Sequence, residues 1–157
     1  MAVWSFRYAF RQAFRAPAPI VYAWCTDYDA GDVRLMGEDG ERTVEHLTDD
    51  LIELSDRTRR NGTWVRTQKV VRLNPEAYSW TSTYFVGPRK GSQFLYRVVP
   101  RGPRRSRLEF TGLQVEHNPG TLSADRKAAI ARSVARVDAG TWRRLARALD
   151  LDVAAGR

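Results

Sequence analysis

The chain has 157 residues and a formal net charge of +8, with 43% hydrophobic and 11% aromatic residues. This aromatic content excludes a disordered chain, and the length is sufficient for one domain with its own core. The single cysteine, Cys25, excludes an intrachain disulfide, and no apolar run approaches the ~18 residues of a membrane-spanning helix. We therefore predict one domain over residues 1–157. The absence of a signal-peptide pattern at the start favours the cytoplasm.

The first predicted element is a strand. Between Trp4 and Phe14, bulky apolar residues alternate with small or charged ones such as Arg7 and Arg11. A period of two predicts one face against a core and one face toward water. The aromatic side chains of the inner face include Tyr8.

Two short helices are predicted next. Pro17 and Pro19 suit a helix start, and Val21 and Trp24 recur at helical spacing, which favours a helix over about 18–27. A second short helix or turn is predicted to begin near Asp29 or Asp32 and to run to Met36. The capping preferences of Asp explain Asp27 and Asp29 better than a catalytic carboxylate pair does, because residues two apart on a helix point in different directions.

Six further strands are predicted, each separated from the next by Gly, Pro, Asn or Asp residues. The tightest of these connections is Asn61-Gly62, which tolerates the positive φ angles of a two-residue hairpin. Short connections of this kind predict an antiparallel meander. The predicted strands are 41–48, 50–58, 63–73, 77–86, 92–99 and 105–115.

A long amphipathic helix is predicted from Ser123, the expected N-cap, to Leu149. Its apolar positions include Ile130, Val134 and Leu145, with arginines opposite. This element order predicts an α+β fold in which a strongly curved, seven-stranded antiparallel sheet has its concave face covered by the C-terminal helix. Such a helix and sheet diverge, and we expect a small-molecule cavity in the gap, opening beneath the helix.

The segment from Phe14 to Asp29 resembles the first strand and first helix of the START-like (SRPBCC) superfamily, which includes Bet v 1-type proteins, polyketide cyclases and lipid-transfer domains. Within this segment, Ala16-Pro17-Ala18 corresponds to the start of the family's motif. Val21 to Trp24 correspond to its aromatic helix, and Thr26-Asp27-Tyr28 correspond to its end. The resemblance implies a helix-grip fold. It also implies a hydrophobic tunnel and a function centred on an apolar ligand.

Candidate ligand-binding residues come from the inward faces of these elements. Arg66 and Gln68 are candidate polar anchors, although Val65, Thr67, Val71 and Leu73 make an equally good inner face for the same strand, and a shift of one residue would put Arg66 and Gln68 in solvent. Plain core packing is the alternative for the aromatic residues. The candidates are Tyr8, Trp24, Arg66, Gln68, Trp80, Tyr84, Phe94, Tyr96, Phe110 and Val134.

The sequence offers few residues for metal or nucleotide chemistry. His46 and His117 have no ligand partner at a recognisable spacing, and Cys25 suits a small buried hydrophobe better than a nucleophile. No GxGxxG or GxxxxGK[ST] pattern occurs. We therefore predict no metal, no cofactor and no catalytic residue.

The leading hypothesis is binding, with transport as a possible purpose, of a small hydrophobic molecule or lipid. The first alternative is a polyketide cyclase or aromatase; in such enzymes the resemblance implies pocket Arg, Tyr, Asp or His side chains, and no inward histidine can be placed here. The second is a basic module in which Arg101, Arg104 and Arg105 meet an acidic partner, RNA or an anionic membrane. The arginines are dispersed over strands, a loop and a helix, which argues against nucleic acid. Since no apolar run is long enough to cross a bilayer, membrane contact could only be peripheral. The sequence does not give the oligomeric state.

Overall fold

One antiparallel sheet and one long C-terminal helix dominate the fold. The computed structural model describes residues 2–156. Within these residues the elements, in chain order, are β1 Ala2–Phe14, α1 Ala18–Thr26, α2 Asp32–Leu35, β2 Gly40–Thr48, β3 Leu51–Arg60, β4 Thr63–Asn74, a single 3₁₀ turn Pro75–Ala77, β5 Ser79–Val86, β6 Gln93–Pro100, β7 Ser106–Asn118 and α3 Ala124–Ala154.

The sheet has the strand order β1-β7-β6-β5-β4-β3-β2, and every neighbouring pair is antiparallel. Strands β2 to β7 form the predicted meander. Strand β1 pairs with β7, the last strand, along its whole length, from Ala2 opposite Asn118 to Phe14 opposite Ser106. The predicted seven-stranded curved sheet with a long C-terminal helix is confirmed.

The turn between β3 and β4 is the tight hairpin that Asn61-Gly62 predicts. Asn61 has φ 50° and Gly62 has φ 78°. Both values belong to the left-handed region that a primed two-residue turn requires. The twist of such a turn matches that of the flanking strands. Arg60 and Asn61, at the tip of this hairpin, share the lining of one pocket with Val137 in the middle of α3.

Helix α3 begins as predicted. The hydroxyl oxygen of Ser123 accepts a hydrogen bond from the backbone N–H of Arg126 at 3.2 Å. The helix runs five residues past the predicted end at Leu149, because no Gly or Pro lies between Leu149 and Gly156, whose φ is +76°. Its 31 residues span about 46 Å at 1.5 Å per residue. Ala146 and Leu149 are buried near the C-terminal end.

The inner face of β4 is the alternative face given by the sequence, with Val65, Thr67, Val71 and Leu73. Val71 is fully buried, and it lies opposite Ile52 of β3 and Ser82 of β5, which are each 1% exposed. Directly opposed residues of antiparallel strands share one face of the sheet. Val71 therefore fixes the face of β4.

This register places Arg66 and Gln68 on the other face. Arg66 is exposed, Gln68 is half-buried, and neither lines the interior, whereas Lys69, between Gln68 and Val70 in sequence, does. The prediction that Arg66 and Gln68 point inward is wrong. The alternation of β4 did not decide between its faces, because both carry apolar residues.

Candidate functional site

A cavity of about 390 Å³ lies between the concave face of the sheet and α3. One end is closed by α1, α2 and the segment that joins them. The other end leads toward the β3–β4 hairpin. The lining residues come from the sheet (Arg42, Lys69, Trp80, Ser82, Tyr84, Phe94, Tyr96, Phe110), from α1, α2 and their vicinity (Trp24, Cys25, Asp27, Tyr28, Asp29, Asp32, Leu35, Met36), from the β5–β6 turn (Arg89) and from α3 (Asp138, Thr141, Trp142, Leu145, Asp152).

Aromatic rings form the floor of the cavity. The rings of Trp80 and Tyr96 are stacked, with centroids 4.9 Å apart and an interplanar angle of 6°. Phe110 lies 5.2 Å from Tyr96 and 5.3 Å from Phe94, and Tyr84 meets Phe94 edge-on at 5.3 Å. These residues occupy adjacent positions on three paired strands, since Trp80 opposes Tyr96 and Tyr96 opposes Phe110.

A glycine makes room for this floor. Gly112 lies opposite Phe94 across β6 and β7. A Cβ atom at position 112 would come within 2.8 Å of the Phe110 ring and 2.9 Å of the Phe94 ring. Contacts this short are not tolerated, so the glycine is required where the two rings meet.

The roof is formed by α3, with one further contact from α1. The Trp142 ring lies 5.6 Å from that of Tyr96 and 6.4 Å from that of Trp80. At the closed end, the indole N–H of Trp24 donates a hydrogen bond to Asp152 at 3.1 Å. The guanidinium of Arg144 donates to the carbonyl oxygen of Met36 at 2.8 Å. The C-terminal half of α3 is thereby tied to the segments that follow β1.

A polar cluster centres on Asp138 of α3. The hydroxyl of Tyr8 donates a short hydrogen bond to one oxygen of this carboxylate, and Arg89 lies 3.6 Å from the other oxygen. Burial raises the pKa of the Tyr8 phenol well above its ordinary value, and the Asp138 charge raises it further. Burial alone would lower the pKa of Arg89, but Tyr84 and Asp138 outweigh that effect and the net pKa is raised. Tyr8 is therefore neutral and Arg89 charged at neutral pH.

Lys69 and Tyr84 form a second polar group on the sheet side. The Lys69 ammonium donates to the Tyr84 hydroxyl oxygen at 3.4 Å and lies 5.3 Å from the centre of the Tyr84 ring. The Tyr84 side chain is only 8% exposed. Its O–H proton remains available to a molecule in the cavity, because the hydroxyl oxygen acts as the acceptor in this bond.

A buried ion pair supports the wall on the β2 side. Arg42 binds Asp56 through two hydrogen bonds of 2.7 and 2.8 Å, and a further contact of 3.5 Å joins it to Asp32 of α2. Burial would lower the pKa of Arg42, but its pKa is raised on balance by the hydrogen bond and charge of Asp56. The pair fixes α2 against the sheet edge.

An outer chamber of about 460 Å³ shares seven lining residues with the cavity and leads to the surface. Its walls are the tip of the β3–β4 hairpin, with Arg60 and Asn61, the β5–β6 turn, with Pro88, and the middle of α3, with Val137. The predicted route beneath the C-terminal helix thus runs past the middle of α3. The shared residues are Met36, Arg42, Lys69, Tyr84, Arg89, Asp138 and Thr141.

Cys25 lines the cavity but is a poor nucleophile. Burial raises the pKa of its thiol far above the ordinary range, and the Asp32 charge raises it further. His46 and His117 lie outside the cavity lining. Within residues 2–156, no group of three or more His, Cys, Asp or Glu side chains is arranged to hold a metal ion.

The structure brings six of the ten candidate residues together. Trp24, Trp80, Tyr84, Phe94, Tyr96 and Phe110 line the cavity. Tyr8 is not part of the lining, but its hydroxyl donates a hydrogen bond to the lining residue Asp138. Val134 is half-buried on α3 and is also outside the lining. Arg66 and Gln68 are on the wrong side of β4.

Sequence reasoning missed the charged lining residues Lys69, Arg89 and Asp138. Lys69 could have been found from the alternative face of β4, which alternates through residues 65, 67, 69, 71 and 73. Asp138 lies four residues after Val134 on the helix. A helical pattern defined by its apolar positions does not identify a carboxylate on the same face. Arg89 lies in a turn and has no periodic signal at all.

No protein-family model matches the sequence, and no curated protein matches it. The fold, in contrast, has many solved counterparts. A Thermus thermophilus protein superposes with a TM-score of 0.79 at 14% identity, covering 97% of this chain and 100% of the other. A START superfamily protein from Mycobacterium smegmatis superposes with a TM-score of 0.66 at 16% identity, covering 96% and 99%.

The chain has the START-like fold. Its long helix gripped by a curved sheet is the arrangement that the resemblance of residues 14–29 implied. The START-like fold is also that of the aromatase/cyclase Zhui from a Streptomyces species, which superposes with a TM-score of 0.70 at 16% identity, covering 92% and 96%. At such identities the likeness shows the fold alone. None of the helices in residues 2–156 is long and apolar enough to span a membrane.

Proposed function

We propose that this chain binds a small apolar or amphipathic molecule in the cavity between the sheet and α3. The observation that carries the proposal is a hollow with an aromatic floor and with polar groups at its two ends. Its volume of about 390 Å³ lies within the range of roughly 300–1,000 Å³ typical of small-molecule sites. Trp80, Tyr96 and Trp142 offer flat apolar faces to a ligand, while Lys69, Tyr84 and Asp138 offer orienting hydrogen bonds.

The connection to the outer chamber supports exchange of the ligand with solvent. A ligand can leave past Val137 and the β3–β4 hairpin without separation of α3 from the sheet, because the seven shared residues form one continuous lining. Binding and release are the expected functions of such a site. Transport and a cytoplasmic location stay predictions.

The test uses N-phenyl-1-naphthylamine, a neutral probe whose fluorescence rises in apolar surroundings. Ser82 is 1% exposed and lines the cavity floor, so Ser82→Phe fills the space that the probe would occupy. Its matched control is Thr81→Phe, since Thr81 is the preceding residue of β5 and is exposed on the opposite face. We expect Ser82→Phe to weaken probe binding at least about tenfold and Thr81→Phe to leave it unchanged.

Equal binding by both variants, with folding verified by circular dichroism, would refute the cavity as the binding site. Ser82→Leu, a smaller substitution, serves if Ser82→Phe fails to fold. Native mass spectrometry of the purified protein adds a direct measurement, in which a retained apolar compound is expected to be lost in Ser82→Phe.

A second candidate function, a cyclase or aromatase, is favoured by the titratable groups that face the same cavity. Asp138 can accept a proton, and Lys69 and Tyr84 can polarise a carbonyl oxygen. The START-like neighbour described as an aromatase/cyclase makes a polyketone chain the substrate to test. Under this hypothesis Asp138→Asn abolishes product formation while the variant still binds the neutral probe. Unchanged or absent turnover in wild type and variant alike would remove it.

A further inference from the structure

The outer chamber contains one cation without a carboxylate partner. Four cationic side chains line this chamber, and three of them form ion pairs with the three carboxylates of the same lining. Lys69 is the fourth, and no carboxylate within residues 2–156 forms an ion pair with it. The three pairs are Arg42–Asp56 at 2.7 Å, Arg60–Glu38 at 3.6 Å and Arg89–Asp138 at 3.6 Å.

The contacts of the Lys69 ammonium are with a neutral residue. Lys69 is half-buried, and its ammonium contacts the hydroxyl and the ring face of Tyr84. A buried charge without an opposite charge is costly, and a phenol oxygen compensates for it only in part. An ammonium held in this way at the wall of a cavity is prepared to bind an anion.

Tyr84 offers a second donor beside the Lys69 ammonium. Its oxygen accepts from Lys69, so its own O–H can donate to a third group nearby. Lys69 and Tyr84 both line the cavity and the outer chamber, and therefore lie at the boundary between the two. An anion bound there would have the aromatic floor on one side and the route to solvent on the other.

The opposite end of the cavity carries the contrary charge. Asp27, Asp29 and Asp32 line it where α1 and α2 close the hollow. Only Asp32 contacts a cation of the lining, Arg42, which is already bound to Asp56. An anionic group is repelled from this end and attracted to Lys69, and this asymmetry sets a direction for the ligand.

We propose that the ligand is an amphipathic organic acid, with its anionic head group bound by Lys69 and Tyr84 and its apolar body on the Trp80–Tyr96 floor. This inference rests on the proposed binding function and specifies the class of ligand. Arg89 is not assigned to the head group, since its guanidinium is engaged by Asp138. The head group faces the outer chamber, and the apolar part points toward α1.

Two probes with one aromatic framework test the inference. N-Phenyl-1-naphthylamine is neutral, and 8-anilinonaphthalene-1-sulfonate is the same molecule with one added sulfonate, which stands for the anionic head group. We expect the wild-type protein to bind the sulfonate at least about tenfold more tightly, as one charge-assisted hydrogen bond allows.

Lys69→Met is expected to abolish this preference, so that the ratio of sulfonate affinity to neutral-probe affinity falls about tenfold. Lys90→Met is the matched control, because Lys90 is an exposed lysine of the β5–β6 turn and its loss changes the net charge equally. Lys69→Arg keeps the charge and is expected to restore much of the preference. Lys69→Gln replaces Lys69→Met if the latter fails to fold.

The possible failures can be told apart. If the neutral probe binds in the cavity and Lys69→Met leaves sulfonate binding unchanged, the anionic head group is refuted while the binding function stands. If Lys90→Met weakens sulfonate binding as much as Lys69→Met does, the preference reflects net charge and the assigned site is wrong. If neither probe responds to Ser82→Phe, the binding function itself fails.

Discussion

The indole of Trp80 lies parallel to the phenol ring of Tyr96, with centroids 4.9 Å apart, and both rings face the cavity. Trp80 is 2% exposed and Tyr96 is 8% exposed. The two side chains therefore belong to the core and to the cavity wall at once. This dual position means that aromatic wall residues cannot be removed to probe binding without a loss of stability.

Trp80→Ala is expected to lower the free energy of unfolding by about 3–5 kcal/mol, the usual range for a buried large aromatic residue. The loss includes the stacking on Tyr96 and the contacts with Tyr22 and Trp142. Urea unfolding followed by circular dichroism measures it. Trp64→Ala is the control, because Trp64 is 45% exposed on the outer face; a loss as large as that of Trp80→Ala would contradict the assigned face of β4.

The Arg42–Asp56 pair gives a second prediction. Arg42 is 7% exposed, and Arg42→Met leaves the Asp56 carboxylate nearly buried without its cation. We expect a destabilisation of about 3–5 kcal/mol, and recovery of most of it in the double variant Arg42→Met/Asp56→Leu. Thermal and urea unfolding of the three proteins provide the comparison.

The control for that pair is Glu41→Gln on the adjacent position of β2. Glu41 pairs with Arg57 at 3.6 Å, and both side chains are largely exposed. Removal of this contact is expected to change the unfolding free energy by less than about 1 kcal/mol. A double variant no more stable than Arg42→Met alone would show that the ion pair is not the source of the loss.

The sequence predicted those features of the fold that depend on a local pattern of residues. The alternation of Trp4 to Phe14, the Asn61-Gly62 turn and the Ser123 cap are local patterns, and the structure reproduces each of them. The phase of β4 is not local. It is fixed by pairing with Ile52 and Ser82 on two neighbouring strands, and the sequence does not contain that pairing explicitly.

The polar part of the site was less predictable for the same reason. Asp138, Arg89 and Tyr8 come from a helix, a turn and the first strand, and they meet only because α3 crosses the sheet over β1. Aromatic floor residues could be identified because each occupies an inward position of its own strand. A cluster assembled from three distant segments has no spacing in sequence from which it could be inferred.

The pH dependence of stability follows from the raised pKa of Tyr8. Its ordinary value is 10.0, and burial together with Asp138 raises the pKa in the folded protein. Above about pH 10 the unfolded chain loses this proton while the folded chain retains it, so stability is complete below that pH and falls as the pH rises. Each such group contributes a slope of about 1.4 kcal/mol per pH unit.

Tyr8→Phe is expected to remove the contribution of one group from the slope of the unfolding free energy against pH. The measurement is the unfolding free energy from urea titrations at intervals between pH 8 and pH 11, compared with the wild-type protein. Tyr96, whose pKa is also raised by burial and by the neighbouring Tyr84, keeps part of the decline in the variant. Parallel curves for Tyr8→Phe and wild type would show that Tyr8 ionises as readily in the folded state as in the unfolded one.

The charge of Lys69 is expected to strengthen binding of an anion and to lower the stability of the ligand-free protein. Lys69 is half-buried, and among residues 2–156 its ammonium has a hydrogen bond to Tyr84 and no ion pair, so its charge is only partly compensated in the free protein. Lys69→Met retains the length of the side chain and removes the charge, and we expect the ligand-free variant to be more stable by about 1 kcal/mol. Differential scanning calorimetry of ligand-free protein measures this gain, and Lys90→Met, which removes an exposed charge, is expected to give none. A decrease in stability for Lys69→Met would mean that Tyr84 alone compensates the ammonium, and the reason for an anion at this position would be lost.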